Sequence, residues 1–172
     1  LIDSPQTGSS HLYRWTGEPE GDPIEAAEKE AYVRMTAAYE LFVAEWLREH
    51  LPKDLTLKTQ EKVEIGEGEQ LFFKIDLVLY DERGAPLAVL DTKYKAPALP
   101  STDDVSQIVA YVQSKGCREA ILIYPQPVPY AHHIGPIHPI HVSTLTFALD
   151  GDLEEAGRSF LHNLCILAGK RI

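Results

Sequence analysis

Apolar residues recur at three- and four-residue steps between positions 32 and 46: Tyr32, Met35, Tyr39, Phe42, Val43 and Trp46. That period predicts a core-facing stripe on a helix over about residues 23–50. Asp22 and Pro23 supply its start, an N-cap followed by a residue whose fixed φ suits the first turn. Glu25 completes something like a capping box, and Leu51-Pro52 ends the helix. Beyond it the period falls to two. Leu55, Leu57, Val63 and Ile65 mark a strand over 55–65. A nearly continuous apolar run from Leu71 to Tyr80 predicts a second strand, and Leu87 to Tyr94 a third. The turns between them, Gly66-Glu67-Gly68-Glu69 and Asp81-Glu82-Arg83-Gly84-Ala85-Pro86, are short enough for an antiparallel meander.

A proline-punctuated loop follows from Lys95 to Ser101. Ser101 or Thr102 then caps a helix with Asp103 and Asp104 in its first turn, where the macrodipole favours acids. Val105, Ile108, Val109 and Val112 face inward, and Gly116 stops the helix. Glu119 to Tyr124 reads as a buried strand, 125–139 as a loop rich in proline and histidine, and Ile140 to Leu149 as another strand. Leu153 to Leu167 forms a closing helix. The order α-β-β-β-α-β-β-α predicts an α/β fold: a mixed central sheet, an antiparallel meander plus further strands, flanked by helices. Residues 1–23 read as a lead-in or linker, with a short edge strand or aromatic anchor at His11 to Trp15, and 24–172 as the domain. The chain opens on Leu1 and its only methionine is Met35. It therefore reads as a fragment or processed chain, with an N-terminal part, up to a whole domain, lying outside it.

Composition narrows the function classes. The 172 residues carry 26 acids against 16 bases, a formal charge of -10. That argues against a surface that grips nucleic acid by bulk charge alone. The deficit is uneven. Residues 18–30 hold Glu18, Glu20, Asp22, Glu25, Glu28 and Glu30 against Lys29, whereas Lys74, Arg83, Lys93 and Lys95 balance Asp76, Asp81, Glu82 and Asp91 within 74–95. No apolar run approaches the roughly 18 residues of a membrane span. Cys117 and Cys165 are too few for a disulfide scaffold and lack metal-ligand spacing, which fits a reducing cytoplasm.

The candidate chemistry lies in Lys74-Ile75-Asp76-Leu77 and Leu90-Asp91-Thr92-Lys93-Tyr94-Lys95. Asp76 interrupts an apolar strand, where an uncompensated carboxylate costs of order 2 kcal/mol or more. Asp91 and Lys93 lie two apart and point to one face. In a meander Asp76 and Asp91 meet across adjacent strands. Two carboxylates converging with a lysine make a hard-oxygen site suited to Mg²⁺. Taken singly, each residue reads as half of an ion pair closing a strand end. Taken together as Asp-x(14)-Asp-x-Lys on a hairpin between helices, they read as a site.

That pattern resembles the PD-(D/E)xK nuclease motif. Asp91-Thr92-Lys93-Tyr94-Lys95 resembles the DAKYK signature of the McrC nuclease subunit of McrBC-type 5-methylcytosine restriction systems. Gln107 and Tyr111 are similar to that family's Q-x-x-x-Y helix, Ile121-Leu122-Ile123-Tyr124-Pro125 to its LLYP strand, and Tyr39-Glu40-Leu41-Phe42-Val43 to its FE-x-x-V first helix. Together they span about residues 30–125. Ile75 stands where the motif has proline, and Asp91 where it has glutamate. The resemblance implies a restriction-endonuclease-like core and a Mg²⁺- or Mn²⁺-dependent DNA endonuclease. It implies Asp76, Asp91 and the Thr92 backbone carbonyl as metal ligands, with Glu40 reaching the metal directly or through water. Lys93 would position the attacking water and Gln107 would orient the site. Tyr111, Tyr94 and Lys95 would touch or flank the substrate. It further implies an AAA+ GTPase partner, and double-strand cleavage would need two active sites, as in a dimer.

His132, His133, His138 and His141 form a rival cluster for zinc, but the loop around them has no matching cysteine or acid. Two other readings stay open: a non-catalytic nuclease-fold module that docks on a motor partner, and a nuclease of the same fold acting on RNA or branched DNA.

Overall fold

In the computed structural model the described residues are 23–66, 71–95, 100–128, 133–137 and 139–170. The lead-in, with Asp22 and the expected His11–Trp15 strand, lies outside them, as do His132 and His138. Nine elements follow one another: α1 (Pro23–His50), β1 (Leu55–Glu64), β2 (Phe72–Asp81), β3 (Pro86–Thr92), α2 (Thr102–Lys115), β4 (Glu119–Tyr124), β5 (His133–Ile137), β6 (Ile140–Thr146) and α3 (Leu153–Leu167). The expected order holds with one addition. The segment read as a loop over 125–139 contains β5, which pairs antiparallel with β6 at the sheet edge. Gly135 and Pro136 hide it from pattern reading, yet a proline is tolerated on an edge strand that needs no outward donor.

The sheet order is β1-β2-β3-β4-β6-β5. β1, β2 and β3 form the antiparallel meander. β4 lies parallel to β3, and β6 parallel to β4. A parallel pair needs a crossover, and α2 is the β3–β4 crossover. Its ends are capped as the sequence predicts. The Ser101 hydroxyl accepts from the Asp104 backbone N–H, and Gly116 takes a left-handed φ of 70°.

Two apolar layers sandwich the sheet. Tyr39, Val43 and Leu47 of α1, with Phe160 and Leu164 of α3, pack on Leu77, Leu79, Leu90, Ile121 and Ile123. Ile108 and Val112 of α2 pack on the opposite face with Val78, Val89, Ala120 and Leu122. Each such apolar side chain contributes roughly 1.5–3 kcal/mol by leaving water. Gly157 of α3 lies so close to the Trp46 indole that an added Cβ would collide with it. The stripe on α1 is shorter than its periodicity predicts. Tyr39, Val43 and Trp46 are buried, but Tyr32 and Met35 are exposed. The sheet supports only the C-terminal half of this 28-residue helix.

The long β1–β2 hairpin turns over at its middle. Leu55, Leu57, Leu77 and Leu79 face α1, while Val63, Phe73 and Ile75 face α2. Residues an even number apart in a regular strand share a face, so both strands change sides between these groups. Gln60 marks the change. It has φ 53°, the only positive φ outside glycine among the described residues. Thr59 pairs with Leu77 and Glu61 with Ile75, while the Gln60–Asp76 step is missing from the ladder. A left-handed backbone costs an ordinary L-residue of order 1–2 kcal/mol.

Candidate active site

β2 and β3 are in register at Leu77–Leu90, Val78–Val89 and Leu79–Ala88. One step further along the same register, Asp76 faces Asp91. The two carboxyl groups lie close enough to interact. They open into a cleft of about 470 Å³ that also takes in Lys93, Tyr94, Gln107 and Tyr111.

Asp91 is the most deeply placed charge, only 4% exposed. Its Oδ2 lies 2.9 Å from Lys93 Nζ, but no donor is aligned on that oxygen to complete a hydrogen bond. Burial pushes the Asp91 carboxyl up to about 7; Lys93 pulls against this, and the neighbouring Asp76 adds to it. Asp76 is half-buried and stands at the mouth of the same cleft.

Lys93 lies just past β3, where its backbone N–H donates to the Ile123 carbonyl of β4 at 2.8 Å. Its ammonium has three donors, and three oxygens surround it. Asp91 Oδ2 and Asp104 Oδ1 are each at 2.9 Å, and Gln107 Oε1 is at 3.3 Å. Burial alone would lower its affinity for the proton, but the two carboxylates outweigh burial and hold Lys93 above the usual lysine range. Asp104 moves the opposite way: burial opposes ionisation, but Lys93 and Ser101 hold it below the usual carboxylate range. Gln107 Nε2 in turn donates to the Tyr111 hydroxyl at 3.0 Å. Asp91, Lys93, Gln107 and Tyr111 therefore form one connected series. Asp104 belongs to it as well, although in sequence it reads only as an acid placed to suit the helix dipole.

The remaining expected residues are less central. Glu40 lines a separate groove between α1 and β1 with Arg48, Thr59 and Gln60. It connects to Asp76 through Gln60, whose side-chain amide donates to Glu40 and lies 3.4 Å from Asp76 Oδ1. Burial, then the Asp76 charge, raises the Glu40 carboxyl above its ordinary range, against the pull of Gln60 and Lys74. Sequence patterning gives no sign of Gln60, a polar residue at an exposed position of an alternating strand. Tyr94 is wedged between the rings of Tyr39 and Tyr32, each centroid 6.4 Å away. Lys95 Nζ lies 4.6 Å above the Tyr32 ring. Thr92 is buried on the cleft wall. Of the histidines considered for zinc, His141 faces Glu119 at 2.9 Å. No three histidine, cysteine or acidic side chains converge as a metal cluster among the described residues.

The donors nonetheless fit a hard cation. Asp91 presents a buried carboxylate, Asp76 lines the same cleft, and Thr92 lies on its wall. Two carboxylates with a backbone oxygen suit Mg²⁺, which prefers oxygen and retains several waters.

No curated protein matches the chain. The family model described as McrBC 5-methylcytosine restriction system component matches residues 30–125, a span that contains Glu40, Gln60, Asp76, Asp91, Lys93, Asp104, Gln107 and Tyr111. No described helix is long and apolar enough to cross a membrane. With the matched span covering more than half of the 172 residues and both walls of the cleft, the chain belongs to the McrBC family of restriction-system components.

Proposed function

We propose that this chain is the nuclease component of a modified-DNA restriction system. It is a PD-(D/E)xK endonuclease domain that hydrolyses DNA phosphodiester bonds with Mg²⁺ or Mn²⁺. The observation that carries the proposal is the Asp91 carboxyl, buried beside Asp76 and paired at 2.9 Å with a charged lysine in one cleft. A pure scaffold gains nothing from burying a group at that cost. Asp76, Asp91 and the Thr92 carbonyl would hold the cation. When bound, it supplies positive charge against the developing charge on the phosphoryl oxygens.

The side chains divide the remaining work. Lys93 stays protonated between Asp91 and Asp104, so it does not act as a general base. With its three donors held by Asp91, Asp104 and Gln107, it acts through its charge, which faces the phosphate and the attacking water. Gln107, braced by Tyr111, fixes the direction of the Lys93 ammonium. Water attacks phosphorus in line, the bond from phosphorus to the leaving sugar oxygen breaks, and the proton given up by the water passes through solvent to that oxygen. The enzyme forms no covalent bond. Tyr94 and Lys95 flank the DNA path. An AAA+ GTPase partner in the cytoplasm brings the DNA, so an acidic chain need not bind it tightly alone. Two copies acting together cut both strands.

Plasmid cleavage in Mg²⁺ or Mn²⁺, with and without a candidate GTPase partner, tests the reading. Parent protein should nick or linearise DNA, and Asp91→Ala and Lys93→Ala, still folded, should not. Unchanged cleavage by Asp91→Ala would refute the site. A parent inert with either metal and with the partner present would leave the assembly-module reading in its place.

A further inference from the structure

Gln60 lies outside every motif that identifies the family, yet the hairpin is distorted around it. Its φ of 53° lies in the left-handed region, in the middle of a ten-residue strand. Glycine or asparagine would hold that backbone with less strain. Neither has a side chain long enough to do what this one does. The Gln60 amide donates to the Glu40 carboxylate on α1 and reaches Asp76 Oδ1 on β2 at 3.4 Å. Glu40 and Asp76 repel one another, and the amide stands between them as a neutral donor to both. The distortion also coincides with the missing ladder step opposite Asp76 and with the point where the hairpin changes faces. Backbone strain of this kind persists where the surroundings enforce it, and it clusters at functional sites.

We infer that Gln60 is a positioning residue: its left-handed backbone aims the side-chain amide so that it locks Asp76 in the cation-binding orientation and ties Glu40 of α1 to the site. The inference rests on the nuclease reading above and assigns Gln60 no contact with DNA.

The test compares parent, Gln60→Gly and Gln60→Asn in three measurements: melting temperature, calorimetric binding of Mn²⁺ without DNA, and plasmid cleavage. Both substitutes tolerate the left-handed backbone, so neither should melt below the parent. Loss of an outer contact to a ligand typically weakens metal affinity or activity 10–100-fold. Gln60→Gly should therefore bind Mn²⁺ about 10–100-fold more weakly and lose cleavage in proportion, with KM for DNA unchanged. Gln60→Asn, whose amide is too short to span Glu40 and Asp76, should lose about as much. Mn²⁺ affinity and cleavage equal to the parent in both variants would overturn the inference while leaving the nuclease reading standing. So would losses that simply follow a lowered melting temperature. A parent that neither binds Mn²⁺ nor cuts DNA would overturn the nuclease reading and this inference together.

Discussion

The two walls of the cleft are built by different means. On the β3–α2 wall, Asp91, Lys93, Asp104, Gln107 and Tyr111 come from one stretch of chain and pass hydrogen bonds and charge along a continuous series. On the other side, Asp76 is tied to Glu40 and Gln60 of the adjoining groove; the three come from separate elements and depend on one left-handed residue. The first wall follows from a strand and a capped helix, with no positive φ outside glycine among their described residues. The second exists only because a strand is forced off its regular path. Precise placement from a local motif needs little strain, whereas placement from distant segments concentrates it at one position.

Substituting the facing carboxylates separates the walls most sharply. Asp76→Ala and Asp91→Ala should each reduce plasmid cleavage by about 10³-fold or more, the scale of losing a main charge-stabilising group. Melting temperature should distinguish them. Asp91→Ala should melt higher than the parent, because it removes a carboxylate whose burial outweighs the attraction of Lys93. Asp76→Ala, at a half-buried and accessible position, should not. Equal shifts in melting would mean that the two walls are energetically alike.

The second contrast is in pH. The Asp91 carboxyl is raised from 3.8 to about 7 in the folded chain. Between those values the folded state binds a proton that the unfolded state has released. Stability of the metal-free protein should therefore fall as pH rises from about 4 to 7, by up to roughly 4 kcal/mol from this group at 1.36 kcal/mol per unit. Urea unfolding of parent and Asp91→Asn across that window reads it out: the advantage of Asp91→Asn should grow with pH. A constant difference between the two would show that Asp91 titrates as an ordinary carboxyl.

The smallest effects belong to the outer members of the series. Gln107→Ala removes one of three oxygens around Lys93 and should lower the cleavage rate about 10-fold. Tyr111→Phe removes only the brace on Gln107 and should cost about 3-fold, the worth of one neutral hydrogen bond. Single-turnover cleavage at saturating DNA measures both. A larger loss from Tyr111→Phe than from Gln107→Ala would mean that Tyr111 acts on its own rather than through Gln107.

The relaxed wall was also the legible one. Asp91 and Lys93 stand out because charge interrupts apolar periodicity at the end of a strand, and Gln107 and Tyr111 share a helix face by spacing alone. Asp104 was visible only as a helix-start acid, because its second partner, Lys93, is fixed by tertiary structure. Gln60 carried no signal, since alternation continues through it and φ cannot be read from a glutamine. The apolar spacing of Tyr32 and Met35 was genuine, but periodicity says which side chains align and not whether a sheet lies beneath them. β5 was missed because glycine and proline read as punctuation, although an edge position accepts both.

The backbone bond from Lys93 to Ile123 has a consequence for how the molecule matures. A ribosome that has released only the first three strands has already delivered Asp76, Asp91 and Lys93, yet nothing holds the lysine in register. The anchoring carbonyl emerges later, after the whole crossover helix. The charged centre is therefore finished late in synthesis, and a chain cut short before the fourth strand would carry the reactive side chains without their alignment.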